Sequence, residues 1–213
     1  MKAITSLLAL SALVLAEVPL SVLAQPQANS LTNANAVQSC EVFGKSYHNS
    51  LSTMKADKAA GCNGSFEYSE SGLPVNWAVY PPLVDKKGCE LKFDTTDAKD
   101  GKQSLEFIVH QCSDVGGWHS PGIFQERKIM SDRVYKTSFW VKNTGCRFKV
   151  VLASIKDPTH GQYTTVLETS KIMNDWTKFE FLSPTYKGAT HFRFELNILG
   201  PGNLWIDDVV IQE

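Results

Sequence analysis

"HFRFELNIL", residues 191–199, alternates strictly: Phe192, Phe194, Leu196 and Ile198 fall on one side of an extended chain, and His191, Arg193, Glu195 and Asn197 fall on the other. Successive side chains in a β-strand point to opposite faces, so this stretch reads as a strand with one apolar face for a core and one polar face turned away from it. The same texture recurs through the second half of the chain. "SLEFIVHQC", "IFQERKIM", "VYKTSFWVKN", "RFKVVLASIKD", "YTTVLETS", "TKFEFLSP" and "NLWIDDVVIQE" are β-branched and aromatic runs separated by Gly, Pro, Asn and Asp clusters. No segment holds a helical period beyond one or two turns. About eight such strands or more indicate an all-β fold, a two-sheet sandwich or jelly roll.

Outward from these strands the composition changes. The chain has 213 residues and a net charge of −1. No basic run interleaved with aromatics occurs, which excludes the electrostatic footprint of a nucleic-acid binder. Lys2, the apolar "AITSLLALSALVLA" (3–16) and the small residues of Val22-Leu23-Ala24 have the form of a cleavable signal peptide over 1–24. Glu17 and Pro19 interrupt the apolar run before the roughly 20 residues a membrane span needs. The expectation is a secreted or periplasmic protein without membrane insertion. Residues 25–61 read as a polar linker or N-terminal extension, with a thin helical candidate in "YHNSLSTMKADKAAG", and 62–213 as the folded domain.

Five cysteines, Cys40, Cys62, Cys89, Cys112 and Cys146, match no zinc spacing. In an oxidising compartment disulfides are the default. Folding "CELKFDTTDAKDGKQSLEFIVHQC" so that Asp94 faces Phe107 sets Cys89 opposite Cys112. A Cys40–Cys62 bridge would then tether the extension and leave Cys146 unpaired.

The closing run contains two adjacent acids, Asp207 and Asp208, only one of which a strand exposes easily. A metal ion, a salt bridge, a carboxylate capping backbone N–H groups and a catalytic carboxylate are all open readings of the other. If Leu204, Ile206 and Val210 face inward, Asp208 shares their side and Asp207 aligns with Trp205, Val209 and Ile211. Asp208 is then the inward acid. Catalytic signatures such as G-x-S-x-G and H-E-x-x-H are absent, and the histidines are scattered. A spatial meeting of Glu106 or Glu180 with Glu195 would supply a glycosidase-like carboxylate pair, but with no catalytic signature in the sequence a non-enzyme is expected.

In order along the chain come "NGSFE" (63–67), "LPVNW" ending at Trp77, "DAKDGKQSLEF" (97–107), "GGWHSPGIFQERKIMSDRVYKTSFWVK" and "FRFELNILGPGNLWIDDVVI". This series resembles the CenC-type carbohydrate-binding modules of families four, nine and twenty-two, which are galactose-binding-like jelly rolls. The resemblance spans Asn63 to Ile211. It implies a structural calcium held by Glu67, by Asp207 or Asp208, and by carbonyls of the "KDGKQS" loop that includes Lys102. It also implies a non-catalytic glycan site, with a polysaccharide or oligosaccharide as ligand.

A sugar ring needs an aromatic platform for its C–H face and planar polar groups for its hydroxyls. Trp118, in the glycine-marked loop "SDVGGWHSPG", is the first candidate platform and Tyr163 the second. Arg193, Glu195 and Asn197 supply polar groups from one strand face, with Gln125 and His119 as flanking additions. The plain alternatives are that Trp118 plugs one end of the sandwich and that Tyr163 merely begins a strand. Trp77, Trp140, Trp176 and Trp205 are assigned to packing. With no catalytic domain beside it in this chain, such a module is expected to act in trans with an envelope or enzyme partner, to coat a surface, or to serve another role. The other reading is a structural or adhesion protein of the cell envelope that uses the sandwich for protein contacts.

Overall fold

The computed structural model describes residues 40–42, 45–46, 62–80 and 88–213. Its strands are β1 (Cys40–Val42), β2 (Lys45–Ser46), β3 (Ser69–Glu70), β4 (Leu73–Pro74), β5 (Ala78–Val79), β6 (Cys89–Asp94) and β7 (Ser104–Val109). They continue with β8 (Gly122–Lys128), β9 (Val134–Asn143), β10 (Phe148–Asp157), β11 (His160–Thr169), β12 (Met173–Pro184), β13 (His191–Ile198) and β14 (Gly202–Gln212). Among the described residues there is no α-helix, only a 3-10 turn at Gly117–His119. None of them forms a helix long and apolar enough to cross a membrane.

Two antiparallel sheets face each other. The first runs β11-β10-β13-β8-β1-β2, with β5 also paired to β8, and the second runs β12-β9-β14-β7-β6. The β3–β4 hairpin stands apart. This is the all-β jelly-roll sandwich expected from the alternation. β1 and β2 come from the segment read as linker, so the first sheet reaches further back along the chain than Cys62. The helical candidate at 47–61 and the signal-like residues 1–24 lie outside the described residues.

The core lies where the apolar faces meet. Phe192, Phe194, Leu196 and Ile198 of β13 are all buried, as are Tyr135, Phe139 and Val141 of β9 across from them. Phe139 meets Phe194 edge-on at 5.3 Å and stacks on Phe179 of β12 at 5.6 Å, so aromatic contacts tie the two layers. Trp77 adds a second edge contact to Phe194 at 5.9 Å. Its indole N–H donates to the Asn63 carbonyl at 2.9 Å, and the buried Asn63 side chain bonds both Tyr68 and the Val75 carbonyl. The start of "NGSFE" is therefore the clasp of the 63–77 segment.

The β6–β7 register corrects the cysteine expectation. Asp94 pairs with Ser104 and Cys89 with Val109, three residues short of Cys112. Cys89, Cys112 and Cys146 are free thiols packed in or against the core. Burial raises the Cys89 and Cys146 thiols to about 12, which keeps them protonated. Cys62 is not among the free thiols, and the side chain of Cys40 lies outside the described residues.

Candidate functional site

Away from the core, the first sheet presents three cross-strand rows. The first is Tyr163, Ala153, Arg193 and Glu126, on β11, β10, β13 and β8 in turn. The second is Thr165, Val151, Glu195, Phe124 and Ala78, which extends onto β5. The third is Glu168, Lys149, Asn197 and Gly122. Small side chains on β10, Ala153 and Val151, leave the middle of this face low. A cleft of about 400 Å³ results, lined by Tyr80, Trp118, Lys149, Tyr163, Arg193 and Glu195 among others.

The Trp118 wall is set by its loop. Gly116 (φ 86°) and Gly117 (φ 56°) take left-handed conformations that glycine adopts without strain. The buried Ser120 hydroxyl accepts the Gly116 N–H at 2.8 Å and donates to the Ser113 carbonyl at 2.6 Å, while Gly117 N–H reaches Asn197 Oδ1 at 3.1 Å. So braced, Trp118 rests one edge on Tyr80 (5.1 Å) and Phe124 (6.3 Å) and stays 52% exposed. It does not plug the sandwich. Across the cleft Tyr163 is 55% exposed, its ring lying where a side chain at Gly161 would be.

Between the two aromatics runs a polar chain. The Arg193 guanidinium donates to Glu126 through Nε (2.8 Å) and Nη2, and meets Glu195 at 3.5 Å. It also lies 4.4 Å from the Phe124 ring centroid and 5.9 Å from that of Tyr163. Burial works to lower the Arg193 pKa, and the Glu126 carboxylate more than offsets it. Burial, then the Glu195 charge, pushes the Tyr80 hydroxyl well above the phenol range, so it is a fixed donor. The cleft thus combines two exposed rings with a pre-oriented set of donors and acceptors, which is the chemistry that grips a hydroxyl-rich ring.

Five of the seven expected glycan residues line this one cleft: Trp118, Tyr163, Arg193, Glu195 and Asn197. Gln125 is a correction. It is fully buried, its amide donates to the carbonyls of Cys62 and Asn76, and its oxygen accepts from Arg127. Alternation along β8 turns Phe124 and Glu126 to the cleft and Gln125 to the interior. His119 is exposed but does not line the cleft. Tyr80 and Lys149 were missed. Only the alternation of Lys149, Val151 and Ala153 against Phe148, Val150 and Leu152 could have signalled the second of these. Glu106 and Glu180 do not meet Glu195. Both belong to the other sheet, where Glu106 accepts from Asn203 and Glu180 pairs with Lys136 and Lys178.

The acids of the closing strand form a separate clasp. Asp207, not Asp208, is the buried one: a bulge between Asp207 and Val210 takes Asp208 out of the core-facing phase, and Asp207 lies on the Trp205 side of β14 beneath the Lys99–Asp100 turn. Leu204 and Ile206 face the core before it, and Val209 and Ile211 after it; Asp208 sits in the bulge at φ 49°. Asp207 Oδ2 accepts the N–H groups of Lys99 (2.7 Å) and Asp100 (2.9 Å), and its Oδ1 accepts that of Asp208. From the other side Glu67 Oε1 accepts Lys102 N–H (2.8 Å) and Gln103 N–H (3.0 Å). Lys102 therefore enters through its backbone. Burial raises Asp207 to about 7 despite its N–H partners, and the Asp100 charge adds to the rise.

No protein-family model matches the chain, and no curated protein matches it. Solved structures do. The CBM22-1–GH10 modules of a Clostridium thermocellum endo-1,4-β-D-xylanase, complexed with xylohexaose, align over 70% of this chain with 16% identity and a TM-score of 0.51. The protein has the fold of the carbohydrate-binding modules. The chain spans 28% of that xylanase chain. The CBM22-1 xylan-binding domain of Paenibacillus barcinonensis aligns over 70% of this chain and 90% of its own, with 17% identity and a TM-score of 0.47. A CBM4 structure aligns over 70% and 97%, with 16% identity and a TM-score of 0.48.

Proposed function

We propose that the protein is a non-catalytic carbohydrate-binding module that holds a polysaccharide or oligosaccharide in the cleft of its first sheet. The carrying observation is the pairing of two half-exposed rings, Trp118 and Tyr163, with the Arg193–Glu195–Tyr80 chain between them. The rings stack on sugar faces, and the polar chain takes the hydroxyls. The module fold shared with a protein complexed with xylohexaose supports this reading. The protein works exported from the cytoplasm and in trans, beside an enzyme or envelope partner, with Cys40 bridged to Cys62. Affinity electrophoresis across soluble xylans, β-glucans, mannans and galactans tests the proposal. Retardation by one class supports it, and no retardation by any, from folded protein, moves the assignment to a structural envelope protein.

Calcium belongs to the proposal as a structural ion. Glu67 and Asp207, with carbonyls of the 99–104 loop, would hold it. The donors are hard oxygens, and a buried carboxylate raised to about 7 gains from a cation, which is chemistry that fits calcium. Without the ion, an unfolded Asp207 loses its proton near 4 and the folded one near 7, so stability falls as pH rises between those values, by on the order of 4 kcal/mol at most. With calcium that fall flattens. Melting curves with calcium and with chelator at pH 5 and pH 8 check this, and identical curves would remove the ion from the account.

A further inference from the structure

Of the cleft's charged groups, one lacks a counter-ion. Arg193 is engaged by Glu126 and Glu195. Lys149, in the third row, stands opposite Glu168, but that carboxylate is taken by Arg147 at 2.6 Å and 3.1 Å. Among the described residues no ion pair to Lys149 forms. Its ammonium leans over the Gly116 turn: a Cβ at Gly116 would come within 2.5 Å of Lys149 Nζ and 3.3 Å of Asn197 Oδ1. The lysine is half-buried and lies against the loop that carries Trp118.

We propose that Lys149 makes this cleft select glycans with an anionic substituent, first of all the carboxylate of a uronic acid, on the residue seated beside Trp118. The inference rests on the reading of the cleft as a glycan site and deepens it. A neutral chain that covers the cleft strips water from an ammonium and returns only hydroxyl contacts, which is costly for a charge. A carboxylate or sulfate ester replaces that water with a charge-assisted hydrogen bond. Glu195 offers little opposition, because its carboxylate is already committed to Arg193 and faces the Tyr80 hydroxyl. Gly116 serves twice here: its φ of 86° makes the turn, and its missing side chain makes room for the ammonium.

The test compares glucuronoxylan, polygalacturonate and alginate with their carboxyl-reduced counterparts, and adds one sulfated galactan, by affinity electrophoresis at low and high salt. The expected result is at least tenfold tighter retention of a carboxylated glycan than of its reduced form. The preference shrinks as salt rises, falls to about one in Lys149→Met, and is kept in Lys149→Arg. A preference for the sulfated galactan alone would overturn the uronic-acid assignment. Equal retention of both forms, or a preference that survives Lys149→Met, overturns the inference and leaves the glycan reading standing. No retention of either form of any polysaccharide, from protein with an unchanged circular dichroism spectrum, takes down both.

Discussion

Both sheets carry aromatic side chains on the face turned from the core, yet they treat them differently. On the second sheet Trp205 donates its indole N–H to Asp94 at 3.0 Å, and Trp176 donates to Asp97 at 2.8 Å. Lys99 stands 4.0 Å over the Trp140 ring, Lys142 stands 5.6 Å over that of Trp205, and Lys142 also pairs with Asp97. These rings clamp the 94–100 loop to the sheet, and their faces and polar edges are already used. On the first sheet Trp118 and Tyr163 show more than half their surface, and the loop that holds Trp118 is braced by bonds that do not cover the ring. The number of tryptophans does not mark a site. What marks it is how much of each ring stays open to solvent.

Four substitutions test that contrast, in decreasing order of effect. Arg193→Ala leaves Glu126 and Glu195 mostly buried without their cation, so it is expected to cost about 3 kcal/mol of stability in urea unfolding and to abolish glycan retention. A loss of binding with unchanged stability would show that the ion-pair chain is not structural. Trp118→Ala is expected to weaken glycan binding at least tenfold, about 1.4 kcal/mol or more, with a shift in Tm of no more than a few degrees. Trp205→Ala should reverse that pattern: roughly 1–2 kcal/mol of stability lost with its packing and the Asp94 bond, and binding within twofold of the parent. The smallest effect is expected of Trp176→Phe, which keeps an aromatic ring, though a smaller one, and removes the indole N–H to Asp97, for about 1 kcal/mol in the same unfolding series. If Trp205→Ala abolished binding, the second sheet would be the glycan face and the contrast would be inverted.

The sandwich was legible because β13 and β9 alternate cleanly, and alternation is what a half-buried strand imposes on sequence. Arg193, Glu195 and Asn197 were found on one face for the same reason, and Trp118 because paired glycines and a proline announce a loop in which a large ring needs a purpose. Two of the misreadings share one cause: register is a property of pairs of strands, not of one. Cys89 missed Cys112 because the hairpin closes at Asp94–Ser104. The inward acid was read as Asp208 because a bulge shifts the phase after Asp207. Gln125 was chosen for its nearness to Trp118 along the chain, although the period of β8 sends it to the opposite face. Tyr80 lies just past β5 and Lys149 on β10, far apart along the chain, and no local pattern points to them together.

The contrast between the two faces is tested most directly by calorimetric titration of the parent, Trp118→Ala and Trp205→Ala with whichever polysaccharide retards the protein. The expected result is affinities within twofold of each other for the parent and Trp205→Ala, and at least a tenfold loss for Trp118→Ala with a melting temperature within a few degrees of the parent's. Equal affinities for the parent and Trp118→Ala would contradict it.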